Sequence, residues 1–167
     1  HHTVKVETND FVEQAKICLE KIRIGMEETG GSWKTVIKTN IFIKNMDCLD
    51  TYRQVERDYF RSQGLSLSED LPASTTFIVS ELPRKEFLVE IEAFGLASNN
   101  HNVWPLEFYP GDRNRSGSVR AGNLIYYSAC HSVGSLEEQI NGGFEKLGIA
   151  CEKAGSSLNK VITTNIM

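Results

Sequence analysis

A fold that mixes helices with strands is predicted, its unit being two or three strands, a helix, a strand, a second helix and two more strands. Three observations predict it. Segments with apolar residues at helical spacing alternate with short segments rich in β-branched residues. The helical segments carry recognisable start and stop signals. A thirty-residue stretch of this alternation also occurs twice.

Phe11, Ala15, Cys18, Leu19, Ile22 and Met26 recur at helical spacing after "DFVE" (Asp10 to Glu13), which predicts the first helix. Gly30 stands where a helix needs a left-handed C-terminal residue. "TVIKTNIFIK" reads as a strand. In "CLDTYRQVERDYF", Leu49, Tyr52, Val55, Tyr59 and Phe60 form one helical stripe. The loop "RSQGLSLSEDLP" ends at Pro72, and "STTFIVSEL" and "EFLVEIEAFG" read as two strands joined by the tight turn "PRK". The polar stretch "ASNNHNVWP" reads as a linker. "VWPLEFY", "GSVRAG" and "NLIYYSACH" read as strands, and "SLEE" (Ser135 to Glu138) is a capping box that opens another helix. "AGSSLNKVITTNIM", with Gly155 at the helix end, reads as the first half of a further strand.

Sliding the chain by 125 residues lays Glu13–Phe42 on Glu138–Met167 without a gap, and thirteen of the thirty positions are identical. The period is that of a small domain, not of a solenoid unit. The organisation expected is a first domain over 1–97 lacking its N-terminal strands, a linker over 98–104, and the N-terminal part of a second domain over 105–167. A permuted single domain, completed by 105–167, is the alternative. Either way, Ile162–Met167 needs pairing partners from elsewhere, because unpaired buried strand groups are costly, and the second copy is read as cut short.

Composition removes several function classes. A net charge of −4 gives no global attraction to nucleic acid or an anionic membrane. No apolar run reaches the length of a membrane span, and the N-terminus has no signal-peptide pattern; His1-His2 reads as the stub of a tag. Cys18, Cys48, Cys130 and Cys151 form no CxxC pair, and the histidines lack zinc-ligand spacing. A reduced, cytoplasmic protein without disulfides or metal is expected.

"EEQINGGFEKLGIACEKAGSSLNKVITTNI", "IKNMDCLDTYRQVERDYF", "LPASTTFIVSELP" and "LVEIEAFG" together resemble the reactive-intermediate deaminase (Rid) family, which includes the liver perchloric-acid-soluble proteins (L-PSP) once called translation-inhibitor endoribonucleases. The resemblance covers nearly the whole chain outside the linker. It implies an α+β, chorismate-mutase-like fold: a six-stranded, mostly antiparallel sheet with two helices on one face. It also implies homotrimers with ligand clefts between subunits, or a pseudo-hexameric ring for a tandem protein. The activity implied is hydrolysis of a small enamine or imine to a ketoacid and ammonia, without metal or cofactor.

Position by position, the resemblance nominates Glu90, first of "EIEA", as the residue that activates water; such a base needs hydrogen-bond reach and partial desolvation. Ser74 stands where active relatives carry an Arg that clamps the substrate carboxylate, and a hydroxyl supplies neither the charge nor the fork. Ser74 and Thr75 are left as hydrogen-bond donors to a ligand. Arg53 replaces a cleft Asn and is a candidate for the missing cation. Arg115 takes the place of a cleft Tyr, and Ser128 and Cys130 occupy a strand end whose backbone binds substrate oxygen in relatives. Cys130 and His131 are adjacent on a strand and so point to opposite faces, which argues against a nucleophile–base pair. "GDRNRSG" lacks the Walker spacing and reads as a solvated loop. The competing function is a non-catalytic ligand-binding or oligomerisation module, and a chorismatase-like enzyme binding a cyclic dicarboxylate through Arg53 and Arg115 is a third.

Overall fold

The computed structural model describes residues 8–66, 70–97, 104–111 and 116–166. Helix α1 (Phe11–Glu28) is capped by Asp10, whose carboxylate accepts from the Glu13 N–H, and strand β1 (Val36–Ile43) follows. Helix α2 (Leu49–Ser62) leads to β2 (Ala73–Ile78) and β3 (Val89–Gly95). Strands β4 (Leu106–Pro110), β5 (Ser116–Ala121) and β6 (Leu124–Tyr127) precede helix α3 (Leu136–Lys153), which opens on the expected capping box of Ser135 and Glu138. Gly30 and Gly155 adopt φ of 78° and 67°, the left-handed conformation their places at the helix ends require.

The six strands of the described residues share one sheet in the order β3-β1-β2-β5-β4, with β6 also on β5. The sheet is mixed, not mostly antiparallel, because β1 runs parallel to β2 and β2 parallel to β5. The cause lies in the connection: α2 carries the chain back along the sheet between β1 and β2, and a helical crossover leaves two strands parallel. The tight hairpin expected at "PRK" is also absent. Strand β1 sits between β2 and β3, pairing with each, so residues 79–88 form an irregular connection across it. Buried Gln14 holds that connection in place: its amide donates to the Glu86 carbonyl and accepts from the Leu88 N–H, both at 2.9 Å.

One face of the sheet is covered by α1 and α2. Leu19, Trp33, Ile41, Ile43, Tyr52 and Phe60 form that core, all nearly without solvent contact. A second, smaller cluster of Ile37, Ala73, Val119 and Ala121 packs with Leu106, Phe108 and Tyr126. The register between β1 and β3 slips by one residue between Val36 and Lys38. This bulge takes Val36 to the helix-side core, gives Ile37 to the second cluster, and leaves Lys38, Asn40 and Phe42 alternating on the face turned away from α1 and α2.

The two repeat copies differ in what covers them. Ala15 and Leu19 of α1 are buried, whereas their equivalents in α3, Ile140 and Phe144, are each 40% exposed. Residues 161–166, equivalent to the first part of β1, pair with no strand among the described residues and are largely exposed. The strand expected there does not form, because β1 owes its pairing to β2 and β3 on either side and this copy has no such neighbours in the sheet. Apart from Trp104, the linker expected at 98–104 lies outside the described residues, as does Met167.

Candidate functional site

Strand alternation divides the candidate residues between the two faces of the sheet. Ser74 lies on the helix side, buried, beside Thr39, Glu56, Phe60, Leu71 and Pro72 around a cavity of about 10 Å³. That volume accommodates no more than about one water and no metabolite. The main chain of Ser74 is fully engaged: its N–H donates to Ser128 Oγ at 2.8 Å, and its carbonyl accepts from the Ala129 N–H at 3.2 Å. Ser128 Oγ donates in turn to the Ser116 carbonyl at 2.6 Å. The Ser128 hydroxyl is thus a staple between β2 and β5, which share a single register pair, Ala73 with Ser116.

Arg53 also turns to the helix side. Its guanidinium donates to Thr76 Oγ1 at 2.6 Å, lies 3.6 Å from the Glu56 carboxylate and stands over the Tyr52 ring. Glu56 is 4% exposed and accepts from the Tyr52 hydroxyl at 3.1 Å. Arg53 is therefore part of a polar network at the α2–β2 contact. Arg115 lies outside the described residues.

The opposite face holds the other candidates. In the row Phe77–Phe42–Glu90, which runs across β2, β1 and β3, the two phenyl rings stack with centroids 5.0 Å apart. Glu90 is half-buried at the end of this row, on edge strand β3. In the next row Asn40 donates to Glu92 at 3.3 Å. Thr75 faces the same side as Phe77, two strands and one row from Glu90, roughly 12 Å away across the sheet. The structure thus brings Thr75 and Cys130 to one place, leaves Glu90 at the sheet edge, and takes Ser74 and Arg53 to the other face.

Thr75 and Cys130 converge on a residue that the motif comparison does not single out. Lys38 Nζ donates to Thr75 Oγ1 at 2.6 Å and to the Tyr127 carbonyl at 2.7 Å. Burial pushes its amine down to about 8, and the nearby Cys130 charge acts in the opposite direction. The sequence motifs do not single out Lys38; a lysine in the middle of the apolar strand "VIKTNIFI" is the signal that could have found it. The sign of the resulting pH effect follows from linkage. Below about pH 8 Lys38 is protonated whether folded or unfolded, and the cost of burying the ammonium is fully present. From there to the unfolded value near 10.5 the unfolded chain binds more protons, so stability rises with pH. Burial of Cys18 raises its thiol, and burial of Tyr59 and Tyr127 pushes both to about 12, so these groups act oppositely at higher pH. Comparison with Lys38→Met isolates the lysine. In urea melts from pH 7.5 to 10, the wild type is expected to gain stability relative to the variant, towards a limit on the order of 3 kcal/mol; a constant difference would show that the amine is not desolvated.

No group of three His, Cys, Asp or Glu side chains able to hold a metal occurs among the described residues, and no disulfide joins the cysteines. No helix is long and apolar enough to cross a membrane among the described residues.

Fold and residues together identify the class. The Endoribonuclease L-PSP family model matches residues 1–97, and the chain belongs to that family, which is the Rid family of the motif comparison. It is 32% identical over 91 residues to a RutC family protein of Pyrococcus abyssi, covering 54% of this chain and 65% of that protein. It is 30% identical over 95 residues to a 2-iminobutanoate/2-iminopropanoate deaminase of Dermatophagoides farinae, covering 54% of this chain and 68% of the relative. The crystal structure of Escherichia coli TdcF with bound serine superposes with a TM-score of 0.50 at 26% identity, over 57% of this chain and 71% of that one. The E. coli YjgF gene product gives a TM-score of 0.50 at 26% identity, over 56% and 69%. The chain spans just under two thirds of the length of the RutC family relatives it matches.

Proposed function

We propose that the protein hydrolyses a small imine or enamine on the open face of its sheet, with Glu90 as the base that activates water. One observation carries the reading: the Glu90 carboxylate ends a row whose other members are two stacked phenyl rings. An apolar wall beside a half-buried carboxylate shields the reacting carbon from bulk solvent and leaves the base within reach of one water. An enamine is first protonated at carbon to its imine. Glu90 takes a proton from water as the water oxygen bonds to the imine carbon. The imine nitrogen gains a proton in the same step to give the carbinolamine. The proton held by Glu90 then passes to that nitrogen, the hydroxyl gives up its proton as the C–N bond breaks, and ammonia leaves a ketone. The reaction requires neither metal nor cofactor. Its relative named as an iminobutanoate and iminopropanoate deaminase supports a small aliphatic substrate. A homo-oligomer, trimeric by the same resemblance, fits a face that exposes Phe94.

A second reading has an observation of its own. Ser74 stands in place of the substrate-clamping Arg, and Arg53 is engaged by Glu56 and Thr76. This favours a ligand-binding or oligomerisation module without turnover. The two readings separate in one assay: imines generated enzymatically in place, with ketoacid release followed in the presence of wild type and of Glu90→Gln. Accelerated release that the substitution returns to the uncatalysed rate is the expected result. No acceleration with small, branched or aromatic imines would overturn the hydrolase reading, and ligand-induced thermal stabilisation would then support the binding module.

A further inference from the structure

Lys38 is placed for chemistry that neither Glu90 nor the family comparison assigns. It lies where three segments meet: β1 carries it, β2 brings Thr75, and the end of β6 with the residues after it brings the Tyr127 carbonyl and Cys130. From β3, Phe94 stands opposite it in the register, and Glu92 lies in the neighbouring row, bonded to Asn40. Lys38 makes no ion pair with a carboxylate among the described residues. Its two hydrogen-bond partners are neutral, and two is the number of N–H donors that an uncharged amine has. Both bonds therefore survive deprotonation, and the lone pair takes the remaining tetrahedral direction. Lys38, Thr75 and Cys130 are each half-buried, so the site is desolvated yet open to a small molecule.

We propose that Lys38 is a carbonyl-reactive lysine, whose amine condenses with a small aldehyde or 2-oxo acid to form an imine beside Thr75 and Cys130. The amine nitrogen bonds to the carbonyl carbon, and the carbonyl oxygen takes up a proton to give a carbinolamine. A second proton reaches that oxygen, for which the Thr75 hydroxyl is in position, and the C–O bond breaks. Water leaves, the nitrogen loses its remaining proton, and the sum is an amine plus a carbonyl giving an imine plus water. Desolvated lysines with uncharged partners are the ones proteins use as amine nucleophiles.

The inference is independent of the hydrolase reading, since no step of it uses Glu90. It is tested by incubating the protein with pyruvate or propanal and sodium cyanoborohydride at pH 7.5, where hydride reduces any imine to a stable secondary amine. Peptide mapping then gives the labelling rate at each lysine. Lys38 is expected to react faster than the exposed lysines by on the order of a hundredfold, the ratio of neutral amine that burial creates. Its rate is expected to rise with pH and level off above about 8. The Lys38→Arg variant should lose this fast adduct and keep the slow ones. Labelling spread evenly over all lysines, or slowest at Lys38, would overturn the proposal, and that result is read on the wild type whether or not the variant folds.

Discussion

Trp33→Ala is expected to destabilise the fold by about 3–5 kcal/mol, the range for removing a large aromatic side chain from a packed core. Trp33 opens a short 3₁₀ turn (Trp33–Thr35) between α1 and β1, is 3% exposed, and meets Phe60 edge-on at 5.0 Å and Tyr59 at 6.1 Å. The indole therefore joins the α1–β1 connection to the last turn of α2. An alanine leaves a void bounded by two rings on a rigid helix, which cannot collapse into it. The repeat supplies an internal control: the equivalent residue, Leu158, is 45% exposed in the turn after α3. Leu158→Ala should cost well under about 1 kcal/mol. Denaturant melts followed by circular dichroism measure both. Equal losses would mean that the second copy is packed as the first is, contrary to the exposure of α3.

That contrast also shows what a sequence carries and what it does not. The helix ends were legible because their chemistry is local: a capping box at Ser135, and glycines at positions 30 and 155 whose left-handed φ few other residues tolerate. The strand order was not legible. "STTFIVSEL" and "EFLVEIEAFG" are adjacent in sequence and invite a hairpin, yet β1 is inserted between them by pairings across 35 to 59 residues. The site divided along the same line. Alternation places Glu90 and Glu92 on one face from sequence alone, but it cannot say what the neighbouring strands bring to that face. Lys38 remained hidden because its partners, Thr75 and Tyr127, lie 37 and 89 residues away, and because a bulge interrupts the alternation just before it. At the strand end whose backbone was expected to bind substrate oxygen, the Ser128 hydroxyl joins β2 to β5, a contact that the sequence does not show. In each failure a long-range contact decided the role of the side chain.

Arg53 is the residue for which the two roles make opposite demands on experiment. Were it a carboxylate clamp, truncating it would weaken substrate binding and leave the fold nearly unaffected, as an exposed arginine on a helix does. In the structure it is the cation beside Glu56, whose side chain is only 6% exposed. Arg53→Ala is therefore expected to cost about 3 kcal/mol, the lower end for breaking a buried pair, since the guanidinium keeps some water on its outer side. The loss comes from the carboxylate left behind in a site closed by Phe60 and Leu71, where the Tyr52 hydroxyl donates to it. The decisive measurement is the double variant. Glu56→Leu in the Arg53→Met background removes the stranded charge and should recover most of the stability, because replacing both members of a buried pair by apolar groups is close to neutral. Additive losses in this cycle would show that Arg53 and Glu56 do not act on each other, and would return Arg53 to the list of residues available to a ligand.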